Sequence, residues 1–197
     1  MPARIDHLFS GPAFRAVEVG EDDVPELQRF FEANPEYFFI VGGEGPGADT
    51  AREEFEDRPP AGWSYGRVWL IRFVDNAGDT IGMADVVSNL LAEGVWHIGL
   101  FIVATSLHGT GAAKVLYAGL EDWIRRNGAR WLRLNVVVGN DRAERFWRSA
   151  GYVEVRQREG IEIGQRTNAV WVMTKPLANG PLAEYLQIVA RDRPEAP

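Results

Sequence analysis

A single α/β domain, an α+β arrangement around one mixed sheet, is the fold class that this sequence predicts. Three observations carry it. The chain has 197 residues, 46% hydrophobic and 25% charged, which suffices for one core and is short for two. Strand-like and helix-like patterns succeed one another without an internal repeat. Two strands past mid-chain, over 95–103 and 131–138, are densely apolar, as strands covered on both faces must be.

The elements follow in order. Residues 13–19 alternate apolar and polar and predict a strand. Glu21-Asp22-Asp23-Val24-Pro25 sets acidic residues and a proline at a helix start, with Leu27, Phe30 and Phe31 recurring at helical spacing behind them. Gly42-Gly43-Glu44-Gly45-Pro46-Gly47 holds no regular element and predicts a loop. A second, acidic helix is expected over 48–57, ended by Pro59-Pro60. Strands at 67–74 and 80–88 are joined by the hairpin turn Asp75-Asn76-Ala77-Gly78-Asp79. Over 111–127, Val115, Leu116, Leu120, Trp123 and Ile124 trace one helix face, closed by Asn127-Gly128. A short helix at 141–150 and strands at 152–158 and 169–174 come next. One domain is expected over 1–178. Residues 179–197 would form a last helix, about 182–190, and a charged tail packed on that domain or extending it.

Composition removes several function classes. The chain has no Cys, so disulfides, Cys-ligated zinc, iron–sulfur clusters and a thiol nucleophile are out. His7, His97 and His108 are too scattered in sequence to suggest a metal site. The formal net charge of −7 disfavours nucleic acid as a partner. Met1-Pro2-Ala3-Arg4-Ile5-Asp6 lacks the apolar run of a signal peptide. No stretch approaches the roughly 18 apolar residues of a spanning helix. A cytoplasmic protein with no membrane partner is the expectation.

Chemistry concentrates in Phe101-Ile102-Val103-Ala104-Thr105-Ser106-Leu107-His108-Gly109-Thr110-Gly111-Ala112-Ala113-Lys114, where an apolar strand runs through a loop of small residues into a long helix. Such a loop exposes backbone N–H groups beside the positive end of a helix, an anion site that needs no net basic charge. The same glycines also suit a plain tight turn. A P-loop would need Gly-Lys-Ser/Thr where Gly111-Ala112-Ala113 stands. A dinucleotide fingerprint belongs in the first βα unit, whereas these glycines follow several strands.

The loop His108-Gly109-Thr110-Gly111-Ala112-Ala113 resembles the Arg/Gln-x-x-Gly-x-Gly/Ala signature of the GCN5-related N-acetyltransferase (GNAT) superfamily, with His in place of Arg/Gln. Asn140-Asp141-Arg142-Ala143-Glu144-Arg145-Phe146-Trp147-Arg148-Ser149-Ala150-Gly151-Tyr152 resembles its Asn-x-x-Ala-x-x-Phe-Tyr-x-x-x-Gly-Phe signature. The two occur in the right order, with a helix and a strand between. The resemblance implies a central mixed sheet whose fourth and fifth strands splay and hold acetyl-CoA. Gly109, Thr110, Gly111, Ala112 and Ala113 would bind the pyrophosphate, with His108 and Lys114 nearby. The backbone of Ile102 and Val103 would pair with the pantetheine as an added strand does, and Asn140 would bond to it. Ala143, Phe146 and Trp147 would pack beside the thiol, though Phe146 and Trp147 also suit ordinary helix packing.

An alkyl ammonium has a pKa near 10, so acetyl transfer to it needs a base. At the position where the family often carries Glu, this chain has His97, which a neutral imidazole suits. A hydrogen-bonded core role is the alternative, and Glu93 and Asp85 are lesser candidates. The family's Tyr, often the acid for the leaving thiolate, is Trp147 here. Either Tyr117 or Tyr152 supplies that proton, or the thiolate leaves without help.

The resemblance puts the acceptor between the first helices and the last strands, near Asn34-Pro35-Glu36-Tyr37-Phe38-Phe39 and Glu53, Glu54, Glu56 and Asp57. That acidic rim suits a cationic amine, or is a solvated helix face. Tyr37, Phe38 and Trp63 line a pocket or belong to the core. The implied activity is acetyl transfer from acetyl-CoA to a primary amine of a small molecule or peptide. Without cysteine no acetyl-cysteine intermediate forms, so transfer is direct. A non-catalytic CoA-binding or interaction module is the alternative. The last helix and seven Trp point to a homodimer.

Overall fold

The computed structural model describes residues 7–196. Residues 1–6, on which the signal-peptide expectation rests, lie outside the described residues. The strands are β1 His7–Gly11, β2 Phe14–Glu18, β3 Val68–Asp75, β4 Thr80–Val87, β5 Val95–Val103, β6 Trp131–Val137, β7 Val153–Ile163 and β8 Arg166–Pro176. They form one sheet in the order β1-β2-β3-β4-β5-β6-β8-β7. Among the described strands, β5 and β6 pair in parallel and every other neighbouring pair is antiparallel.

The parallel pair is short. It runs from Val95 opposite Trp131 to Ile98 opposite Leu134, and then the strands part. On the other edge of β5 the register slips at the same place: Asp85 faces Leu100, whereas Val86 faces Ile98, so Gly99 is an extra residue. A bulge of this kind bends its strand and raises the local twist. A Cβ at residue 99 would lie 2.3 Å from Asp85 Oδ2, so a larger residue there would have to displace that carboxylate. The splayed fourth and fifth strands expected from the sequence are therefore β5 and β6, renumbered because β1 precedes them.

The helices are α1 Val24–Ala33, α2 Glu36–Gly42, α3 Thr50–Glu56, α4 Ala112–Arg126, α5 Asp141–Ser149 and α6 Leu182–Ile188. One face of the sheet takes α4, whose Leu116, Leu120, Trp123 and Ile124 pack with Phe73, Trp96, Ile98, Leu132 and Leu134. Each such fully buried aliphatic side chain stabilises the fold by about 1.5–3 kcal/mol. The opposite face is shared. Val24, Leu27, Phe30 and Phe31 of α1 and Ala51 of α3 cover Leu70, Met83, Leu100 and Ile102, while Tyr185 of α6 and Val189 cover Val95, Trp131 and Val172. Between the two coverings the splayed strands stay open.

Several elements differ from the sequence expectation. Strand β1 is additional: His7–Gly11 offers one alternation, and its Phe9 is held by stacking on Trp123 of α4 at 5.6 Å, a tertiary contact. The segment after Pro35 forms α2, ended by Gly43 in the left-handed region at φ 82°. The last two strands are longer than expected, extended by a polar tip. That tip is anchored from outside, with Gln165 N donating to the Gly42 carbonyl at 2.8 Å and Asn168 Nδ2 to that of Val41 at 2.9 Å.

Candidate active site

Where β5 and β6 part, a cavity of about 780 Å³ opens. Its walls are the released ends of both strands, the loop after β5, the start of α5, the α2 residues Glu36, Tyr37, Ile40 and Val41, and the hairpin residues Ile161 and Ile163. A smaller cavity of about 160 Å³ shares Trp63, Gly99, Arg133 and Asn135 with it and adds Asp85 and His97.

The loop after β5 is a 3-10 turn, Thr105–Leu107, followed by Gly109 and Gly111 at φ 78° and 90°. A side chain at either position would meet nothing within 4 Å, so the glycines serve backbone conformation and not room. Gly111 is the N-cap of α4 and brings no side-chain cap, so the positive end of a 15-residue helix faces the loop. His108, Gly109, Gly111, Ala113 and Lys114 border the cavity. Thr110 and Ala112 do not. Thr110 Oγ1 donates to the Leu107 carbonyl at 2.7 Å and accepts from Ala112 N at 3.3 Å, which shapes the turn.

His108 is held at both nitrogens. Its Nε2 lies 3.0 Å from the Val103 carbonyl and its Nδ1 3.1 Å from Arg142 Nη1. A carbonyl only accepts, so the proton is on Nε2 and Nδ1 receives the guanidinium N–H. Arg142 in turn reaches both carboxylate oxygens of Glu36 at 3.0 Å, tying α5 to α2 across the cavity. Ile102 and Val103 line it from β5.

At the start of α5, Asn140 accepts from Ala143 N at 3.2 Å as the helix N-cap. Asn140, Ala143, Phe146 and Trp147 all border the cavity. Phe146 stacks on Phe101 at 6.0 Å, and Trp147 sits edge-on to Tyr117 and Tyr152, each at 5.3 Å. Neither tyrosine reaches the cavity. The Tyr117 hydroxyl donates to that of Tyr152 at 3.1 Å, and Glu121 on α4 pairs with Lys175 at 2.5 Å. Burial, and then the neighbouring hydroxyl, pushes the Tyr117 proton affinity upward. A thiolate in the cavity would thus find no proton on Tyr117 or Tyr152.

Residues 27–152 match the Acetyltransferase (GNAT) family. The chain belongs to that family. Solved structures share its fold: an acetyltransferase from Thermus thermophilus (TM-score 0.63, 22% identity, 87% of this chain and 99% of that one) and a GCN5-related N-acetyltransferase from Kribbella flavida (0.62, 22%, 85% and 100%). A spermidine N-acetyltransferase from Vibrio cholerae, in complex with CoA and spermine, is also similar (0.64, 17%, 83% and 95%). No curated protein matches the chain at a significant level. This GNAT protein is an acetyl-CoA-dependent N-acetyltransferase.

The cavity suits the co-substrate. The two left-handed glycines stand at the open end of α4, where free N–H groups suit an anion, and the parted β5 and β6 leave unpaired strand edges beside them.

The candidate bases separate on geometry. His97 and Asp85 both border only the smaller cavity, and His97 Nδ1 accepts from Arg133 Nη1 at 3.3 Å. With the proton on Nε2, the one lone pair of the neutral ring is already engaged. Burial and the Arg133 charge push its pKa down to about 3. The base role expected for His97 is therefore at odds with its surroundings, which describe a hydrogen-bonded framework residue. Glu93 is exposed in the turn before β5 and lines neither cavity. Asp85 lies against the Gly99 bulge, and burial, then the Asp57 charge, raises its pKa to about 7. Glu54 on α3 is raised to about 8 by burial and by Asp85. Glu53, Glu56 and Asp57 are exposed.

Sequence reasoning missed Arg133, Arg158 and Arg191, all of which line the main cavity. Arg133 and Asn135 are polar residues two apart inside the apolar run Trp131–Val137, and that break in an otherwise buried strand was the available signal. Arg158 and Arg191 carried none, because tertiary packing brings them together.

Proposed function

We propose that the chain transfers an acetyl group from acetyl-CoA directly to the amine of a small molecule or peptide, with Asp85 taking up the ammonium proton. The observation that carries this is the coincidence at Gly99: the strand bulges, β6 departs, and a carboxylate with a proton affinity near neutrality lies against the bulge. Such a group is deprotonated often enough at pH 7 to act and basic enough to hold the proton it receives.

Bound acetyl-CoA supplies an activated acyl carbon and a thiolate leaving group. The protein's own residues do the rest. N–H groups at Gly109, Gly111 and the first turn of α4 hold the diphosphate. The free edge of β5 at Ile102 and Val103 aligns the pantetheine, with Asn140 at the opposite wall. Phe101, Phe146 and Trp147 exclude water from the thiol end. Asp85 accepts the acceptor's proton at Oδ, and no side-chain acid is used for the thiolate.

A thiol-release assay over a panel of amines tests the proposal. Acetyl-CoA-dependent turnover on at least one amine is expected. CoA binding without turnover on any of them would favour a non-catalytic CoA-binding module, and failure to bind CoA would remove both.

A further inference from the structure

The wall of the main cavity that faces away from α4 is strongly cationic, against the grain of a chain with net charge −7. The face follows from alternation: Trp131 packs under α6 while Leu132 and Leu134 pack under α4, so Arg133 shares the α6 side. Arg158 of β7 and Arg191, in the 3-10 turn after α6, border the same space, with Arg156 behind them. Carboxylates are fewer than these four guanidiniums, and Asp192 reaches only two of them. Asp192 binds Arg133 at 2.7 and 3.1 Å and stands 3.5 Å from Arg158, and no other carboxylate among the described residues is at ion-pair distance from Arg156, Arg158 or Arg191.

The positions are built and not incidental. Arg156 Nη1 and Arg158 Nη2 both donate to the Arg191 backbone carbonyl, at 2.8 and 2.7 Å. The Arg191 guanidinium lies over the Trp63 ring at 3.9 Å, a stack that holds its face and leaves its edge donors for another group. The Nε atoms of Arg156, Arg158 and Arg191 are buried without a partner. Burial, and then the neighbouring guanidiniums, lowers the proton affinity of Arg158 and Arg191. Charges kept together at such cost are relieved by an anion.

We infer that Arg158 and Arg191 form an anion-binding subsite for the acceptor, so that the preferred substrate is an amine that also carries a carboxylate or a phosphate. The inference rests on the proposed acetyl transfer and extends it. The two poles share walls, because Trp63, Gly99, Arg133 and Asn135 border both the arginine-lined cavity and the one that holds Asp85. The acceptor's ammonium turns to Asp85 and its anion to the arginines. The polarity differs from that of a polyamine site, which would line both ends with carboxylates.

The test uses matched acceptors that differ only in the anion: amino acids against their methyl esters, and phosphoethanolamine against ethanolamine. The anionic member is expected to have kcat/KM higher by about 30-fold or more, and whether the carboxylate or the phosphate pair shows it identifies the anion. In Arg191→Gln the ratio should fall toward one. That variant keeps the carbonyl on which Arg156 and Arg158 rest, and thermal unfolding verifies its fold. Turnover of both members at similar rates, or a preference for the esters or for spermine, overturns the inference and leaves acetyl transfer standing. Absence of turnover on every amine defeats the activity proposal instead. Calorimetric binding of an N-acetyl amino acid to the CoA-saturated protein then decides the subsite: binding that weakens at least about tenfold in Arg191→Gln supports it, and equal or absent binding rejects it.

Discussion

Arg133 on β6 grips Asp192 near the end of the chain, with Nε and Nη2 donating to the two carboxylate oxygens at 2.7 and 3.1 Å across 59 residues of sequence. Both side chains are buried, at 2% and 0% exposure. Tyr185 Oη adds a third hydrogen bond to the same carboxylate at 2.6 Å. The bond fastens the C-terminal turn to the strand that parts from β5, and Arg133 also holds His97.

Removing the acid from that pair leaves a buried guanidinium uncompensated. Asp192→Ala is expected to lower stability by about 3–5 kcal/mol, seen as a fall in Tm of about 10 °C. The Asp192 pKa is held below the usual carboxylate range: burial raises it, but the hydrogen bonds and charge of Arg133 outweigh that. A depressed native pKa means that its stabilisation is present above pH about 4 and lost as pH falls below it. Chemical denaturation across the acid range should show a shallower acid loss in the variant.

Asp85 and His97 make opposite kinetic predictions. With Asp85 as base, kcat/KM for an acceptor amine rises with pH through about 7 as the carboxylate ionises. Asp85→Asn should lower kcat/KM by about 10²-fold or more and abolish that limb. His97→Asn should keep the limb, since a ring with a pKa of about 3 does not titrate there. Steady-state pH profiles of the three proteins decide it, and loss of the limb in His97→Asn alone would return the base role to the imidazole.

The carboxylate pair also costs stability at high pH. Glu54 and Asp85 both have native pKa values raised above the unfolded value, so the native state binds more protons between about pH 4 and 8. Their contribution is full at low pH and lost as pH rises through about 7 to 8. Glu54→Gln should raise Tm by about 4 °C at pH about 8.5 and leave it unchanged near pH 4. Differential scanning calorimetry at the two pH values measures this.

The tyrosines should prove structural. Tyr117→Phe and Tyr152→Phe each remove one hydroxyl from a buried bond 3.1 Å long, beside but not in the cavity. A loss of about 1 kcal/mol in stability is expected, with kcat within about threefold of the parent and an unchanged pH profile. A fall in kcat of orders of magnitude in either variant would instead identify it as the thiolate's acid.

What was legible in the sequence was local. The apolar periodicity of Leu116, Leu120, Trp123 and Ile124 places α4 within a residue of its observed ends, and the run Val95–Val103 is β5 as observed. The glycine loop between them is readable because its backbone conformation depends on its own residues, and Gly109 and Gly111 do have the positive φ that such a turn requires. The course of the chain, strand to loop to helix, is enough to set these glycines at the head of α4.

Where signals are non-local, the sequence is silent. Strand β1 forms because Phe9 finds Trp123, and the long hairpin forms because its tip finds α2. The bulge at Gly99 depends on Asp85 of a neighbouring strand. His97 reads as a base until Arg133 is seen to occupy its free nitrogen. The sequence by itself determined the mixed α/β fold, the glycine loop between β5 and α4, and the family, since each rests on short-range periodicity or backbone geometry. Only the tertiary structure decided which carboxylate sits at the splay and that Arg133 and Arg158 share Asp192 beside Arg156 and Arg191. Proton affinity and charge balance depend on what lies a few ångströms away in space, and those neighbours come from positions as far as 106 residues distant in the chain.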